Sequence, residues 1–156
     1  MNRKTLFMVF IILTVAVMSA IFFFSSQNAS SSSDTSGSVV RIILSVFVRG
    51  FGDMSSSKQN ELVARYGGFI RKCAHFSEFA ALGFFFTSSL LLKETERIYL
   101  KSFVFGAVYA SLDEIHQLFS DGRACSPRDV LIDLSGFTAG LIVSALIAYI
   151  IERKRS

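Results

Sequence analysis

The chain has 156 residues, enough for one ordinary domain, and 51% of them are hydrophobic, including 17 Phe against one Pro and no Trp. That composition excludes an ordinary soluble domain and points to a membrane. The net charge of +4 is accounted for by membrane topology and anionic lipid, so membrane lipids are expected partners and nucleic acid is not.

Four apolar windows cover residues 5–24, 69–92, 98–119 and 130–151. Each is long enough for the ~30 Å hydrocarbon core, which takes about 20 helical residues. Unpaired backbone amides cannot sit in lipid, so the windows must be helices. The expectation is an all-α polytopic protein, a single domain over 1–156 with transmembrane helices near 5–24, 73–92, 100–119 and 130–151. The first window reads as a retained anchor: its apolar run is longer than the roughly 7 to 15 residues of a signal peptide core, and Met18-Ser19-Ala20 is a poor cleavage site.

Residues 25–70 form the outer loop of this scheme. Its Ser-rich start, 25–38, reads as a flexible linker. "VVRIILSVFVRGFG" is too short to span, and Arg41, Ser45 and Arg49 recur every four residues on an otherwise greasy helix near 38–50. Two readings stand: an interfacial helix on the outer leaflet, or an amphipathic helix covering the bundle. After Gly50 and Gly52, Ser57 can cap a short helix, "KQNELVARY", which Gly67-Gly68 would end.

The second window opens on "RKCAHFSEF", residues 71–79. Were Phe79 the entry point, the span to Leu92 would be about 21 Å, too short, so the helix must start near Cys73. His75 and Glu78 then lie inside the bilayer. In the third window, Asp113 and Glu114 fall about 8 or 9 Å inside the end at Phe119, and in the fourth Asp133 lies about 5 Å inside Val130. In an antiparallel bundle all three helices bring their carboxylates to one shallow layer.

Helical spacing puts these groups on shared faces: Arg71, His75, Glu78 and Leu82; then Gly106, Ala110, Asp113 and Gln117, with Glu114 and His116 flanking; then Asp129, Asp133, Gly136 and Gly140. Gly136-x-x-x-Gly140 is a small-xxx-small packing surface, so the ionisable faces point into the bundle. A charge deep in a membrane costs about 2.5 to 3.5 kcal/mol on the lenient insertion scale and needs a partner. Arg71, Lys72, Arg123 and Arg128 can answer the carboxylates. One outcome is a purely structural network; the other is a functional site.

Orientation follows from Arg3 and Lys4, from Lys93, Arg97 and Lys101, and from Arg153, Lys154 and Arg155, which fall on one side of four spans and make it cytoplasmic. Both termini are then inside, although Arg41, Arg49, Lys58, Arg65, Arg123 and Arg128 sit in the opposing loops. Cys73 and Cys125 would lie near the outer face, where a disulfide is chemically allowed; their spacing carries no metal or redox motif.

"RKCAHFSEFAALG" followed by "DEIHQLFSDGRACSPRDVLIDLSG" resembles the VanZ-like family of bacterial membrane proteins, named for a teicoplanin-resistance protein. The likeness lies in the Arg-Lys-x-x-His-Phe-x-Glu, Asp-Glu-x-x-Gln and Gly-Arg-x-x-Ser-x-x-Asp-Val blocks and in "SSQ", residues 25–27, at the exit of the first span. Phe79 departs from it, standing where Tyr is common. The resemblance implies a multi-pass protein of the bacterial cytoplasmic membrane with a role at the cell envelope and reduced sensitivity to lipoglycopeptide antibiotics.

Two functions are compatible with the layer. In the first, Arg71, Lys72, His75, Glu78, Asp113, Glu114, Gln117, Arg123, Ser126, Asp129 and Asp133 bind an anionic ligand, a lipid-linked wall precursor or a glycopeptide, through phosphate or carboxylate. In the second, His75, Glu78, Asp113, Glu114 and His116 act as acid and base on such a substrate. His75 with Glu78, and Glu114 with His116, supply zinc-type donors, but neither pair has H-E-x-x-H spacing and no nucleophile motif accompanies them, so no metal or cofactor is assigned. Transport is disfavoured, because charges confined to one leaflet make no relay.

Overall fold

The computed structural model describes residues 2–26, 29–93, 96–120 and 125–154, with side chains throughout except at 29–36. Five α-helices carry them: α1 (Arg3–Ser25), α2 (Ala29–Phe47), α3 (Ser56–Lys93), α4 (Ile98–Gln117) and α5 (Pro127–Arg153). A 3-10 turn over Phe51–Asp53 joins α2 to α3. The all-α expectation holds. By length and composition α1, α3 and α5 are apolar enough to cross a membrane. α4, which carries Lys101, Asp113 and Glu114, falls outside that set.

Helix ends follow local chemistry. The Asn2 side chain accepts the Thr5 amide at 2.7 Å and opens α1. Pro127, which has no amide to lose, starts α5 after an extended Ser126. Arg97, at φ 54°, turns the chain from α3 into α4.

Polar and glycine contacts fix the helix directions. Arg3 Nε donates to the Leu92 carbonyl at 2.8 Å, so α1 and α3 are antiparallel. Thr87 and Ser102 share a hydrogen bond of 2.5 Å between α3 and α4. Ser88 and Ser144 share one of 2.8 Å between α3 and α5, which run parallel. A Cβ added at Gly136 would meet the Phe76 carbonyl oxygen at 2.3 Å, and one at Gly140 the Ala80 carbonyl oxygen at 1.9 Å. The glycine stripe of α5 thus lets two backbones touch. Ile21, Phe79, Leu82, Ala110 and Phe137 are fully buried where α1, α3, α4 and α5 converge.

The loop between the first two spans differs from its sequence reading. α3 is one helix of 38 residues, about 57 Å at 1.5 Å each, so it runs straight through Gly67-Gly68 and its start lies well before Cys73. Two interior glycines cost only about 1 kcal/mol each. The flanking turns outweigh that: Leu62, Val63 and Ile70 pack on Val40, Leu44 and Phe51. The cap is Ser55, whose hydroxyl accepts the Lys58 amide at 3.4 Å, in place of Ser57. α2 begins at Ala29, inside the expected linker. It lies on the projecting half of α3, where Arg41 donates to the Gln59 side-chain oxygen at 3.3 Å and to that of Asn60. The Gln59 amide in turn donates to the Phe51 and Met54 carbonyls, both at 3.1 Å, and clips the turn.

Candidate functional site

Because α3 and α5 are parallel and α4 opposes both, the start of α5 and the end of α4 meet α3 at one level, two turns below Gly67-Gly68. The α1 terminus joins them. Lys72 Nζ donates to Asp129 Oδ1 at 2.7 Å, a partly exposed ion pair at the edge of the cluster. One turn deeper, His75 Nδ1 stands 3.9 Å from Asp133 Oδ1, outside hydrogen-bond range. Asp133 is 2% exposed, and its Oδ2 has no hydrogen-bond partner among the described residues.

From α4, Asp113 is 5% exposed and its Oδ2 accepts from the Ser25 hydroxyl and the Gln117 amide, both at 3.0 Å. Glu114 is buried and accepts the Ser126 backbone amide at 2.8 Å, tying α4 to the start of α5. Glu78 is half-buried and close enough to Asp113 for the two carboxylates to repel. Asp133 feels Asp113, Glu114, Asp129 and Glu78 in the same way.

Of the expected site residues, His75, Asp113 and Asp133 converge most closely: each offers a ligand atom, all within 4.8 Å of one another. The sequence had paired His75 with Glu78 and Glu114 with His116. The structure instead sets His116 against the Phe22 ring of α1, centroids 4.3 Å apart, away from that group. Arg71 sits on the His75 face with its Nε buried and, among the described residues, without a hydrogen-bond partner. Arg128 is exposed, and Arg123 lies outside the described residues. Cys73 and Cys125 are free thiols.

Ser25 was not foreseen as a site residue. Its signal was a hydroxyl at the last turn of an apolar span, visible in "SSQ" but silent about which carboxylate it would meet. Tyr109, whose hydroxyl donates to the Met18 carbonyl at 2.9 Å, links α4 to α1 in the same way.

An apolar helical bundle with buried carboxylates gathered at one end defines a helical membrane protein with a buried polar cluster. The family model described as VanZ/LLP1 matches residues 10–149, and the chain belongs to that family. No curated protein and no solved structure matches the chain.

Proposed function

We propose that the chain crosses the bacterial cytoplasmic membrane four times with both termini inside, and that its cluster binds an anionic envelope ligand from the outer side. The ligand would be the phosphate of a lipid-linked wall precursor or a carboxylate of a teicoplanin-type lipoglycopeptide, and its capture would lower sensitivity to the antibiotic. Four crossings are supported by α4 itself: its 20 residues reach about 30 Å, and Asp113 and Glu114, which weigh against it in composition, are buried inside the bundle. The orientation is supported by Arg3, Lys93, Arg97, Arg153 and Lys154, which gather at the end opposite the cluster. α2 would then rest on the outer leaflet through Val39, Ile42, Val46 and Phe47, all exposed on the side away from α3.

The ligand reading is carried by Arg71. Its guanidinium makes no ion pair among the described residues, while neighbouring Lys72 is committed to Asp129. A planar fork of donors beside a buried carboxylate cluster suits a phosphate or carboxylate. The grouping of His75 with two buried carboxylates favours a second reading, acid/base catalysis on the same ligand.

Teicoplanin susceptibility of cells producing the chain, with membrane abundance measured in parallel, tests both. Production should raise resistance, and Arg71→Ala, Glu78→Ala, Asp113→Ala or Glu114→Ala should abolish the gain at unchanged abundance. Full resistance in Arg71→Ala would remove the binding reading. Abundant and active Glu78→Gln and Asp113→Asn variants would remove catalysis.

A further inference from the structure

We propose that His75, Asp113 and Asp133 hold a divalent transition-metal cation of the Zn²⁺ or Mn²⁺ class. The donors come from α3, α4 and α5, one nitrogen and two carboxylate oxygens, all within 4.8 Å of one another. Bonds of about 2.0 to 2.2 Å set neighbouring ligand atoms roughly 3 to 3.5 Å apart, so side-chain adjustments of about 1 Å close the set.

A second observation is independent of that convergence. Asp133 Oδ2 is buried without a hydrogen-bond partner among the described residues, in a side chain only 2% exposed. A buried carboxylate oxygen left unanswered is costly. His75 Nδ1 stands 3.9 Å from the other oxygen of Asp133, within ion-pair range but beyond hydrogen-bond range, and so leaves Oδ2 unanswered. A cation between them meets both needs.

The surroundings fit. Glu78 and Glu114 bring two further carboxyl groups close to Asp133, and Lys72 is drawn off to Asp129. Two hydrogen bonds to one oxygen of Asp113, from Ser25 and Gln117, fix the plane of that carboxylate, as outer partners of metal ligands do. Imidazole with carboxylates suits Zn²⁺ or Mn²⁺ better than Ca²⁺, which takes six to eight oxygens. Three protein ligands leave a coordination position open. That this position takes a phosphate or carboxylate oxygen rests on the ligand proposed above; the cation itself does not.

The test uses the full chain purified in detergent, stripped with a chelator and titrated by calorimetry with ZnCl₂ and, separately, MnCl₂. One cation per chain is expected. Changing an outer partner of a metal ligand weakens binding about 10- to 100-fold, so losing a ligand in His75→Ala or Asp133→Asn should weaken it about 100-fold or more. Glu61→Gln, on the projecting hairpin and paired with Lys58, should bind as wild type. Helicity of each variant is compared by circular dichroism, and bound Mn²⁺ should carry an imidazole-nitrogen hyperfine coupling that requires no variant to fold. Absence of saturable binding by folded wild type, full affinity in Asp133→Asn, or Mn²⁺ without nitrogen coupling each overturns the site. One-to-one binding in a chain that confers no resistance leaves the cation standing and removes the envelope ligand alone.

Discussion

The two ends of the bundle solve the same problem differently. At the basic end, α3 meets its neighbours through neutral hydroxyl pairs, Thr87 with Ser102 and Ser88 with Ser144, each partner satisfying the other. At the opposite end the same three helices meet through carboxylates, and one buried oxygen of Asp133 has no hydrogen-bond partner among the described residues. Between them, α3 and α5 touch backbone to backbone at Gly136 and Gly140. Small residues and hydroxyl pairs associate these helices at no cost in buried charge, whereas the charged layer carries a desolvation cost that its own inter-helix bonds only partly answer. That asymmetry is the physical case for reading the layer as a site.

The largest expected effect breaks the bundle itself. Gly140→Leu would drive a side chain into the Ala80 carbonyl, 1.9 Å from where its Cβ must stand. Backbone cannot yield as a flexible side chain does, so α3 and α5 must separate and several packed layers open. Membrane abundance should fall to near zero. A well-expressed Gly140→Leu would mean that the close approach is not needed for folding.

The second effect separates site from scaffold. Asp133→Asn keeps shape and removes a buried charge crowded by Asp113, Glu114, Asp129 and Glu78, relieving both desolvation and like-charge repulsion. Abundance should be unchanged or higher while the resistance gain disappears. If abundance collapses instead, the carboxylate is structural and the contrast between the two ends fails.

How far the sequence carried differs between these regions. The bundle was legible because length and helical period act within one element: Gly136-x-x-x-Gly140 and the Asp113, Gln117 face were readable as faces, and they are buried. The grouping of His75 with Asp113 and Asp133 was not, because a motif such as H-E-x-x-H records donors on one helix and these come from three. The hydroxyl pairs were not legible either, since nothing in the spacing of Ser88 and Ser102 matches them to Ser144 and Thr87. The projecting half of α3 misled for another reason. Gly67-Gly68 is a local stop signal, and the packing of Val63 and Ile70 on α2 overrides it from outside the window in which a stop is read.

That override predicts a smaller effect of opposite sign. Gly67 and Gly68 are exposed or nearly so, and a Cβ at either would meet nothing within 4 Å. Ala at each should therefore stabilise the projecting helix by about 1 kcal/mol, since it costs less to order than Gly. Slower amide exchange in residues 60–70 would register it. Faster exchange or lower abundance in the double Ala variant would mean that the flexible pair serves the site, making the continuous helix one state of a hinge.

The smallest effect tests whether the basic end is as undemanding as its chemistry suggests. Ser88→Ala deletes one half of a 2.8 Å pair and leaves the Ser144 hydroxyl behind. In a helix that hydroxyl can turn to its own chain and bond the carbonyl one turn back, as Thr138 already does to Leu134 at 2.7 Å. The cost should then be near the average of about 0.6 kcal/mol for hydrogen bonds between membrane helices, with full resistance retained. Thermal unfolding in detergent would measure it against Asp133→Asn. Should Ser88→Ala lose resistance as completely as Asp133→Asn does, the two ends are coupled along α3, and a site confined to the charged layer is the wrong description.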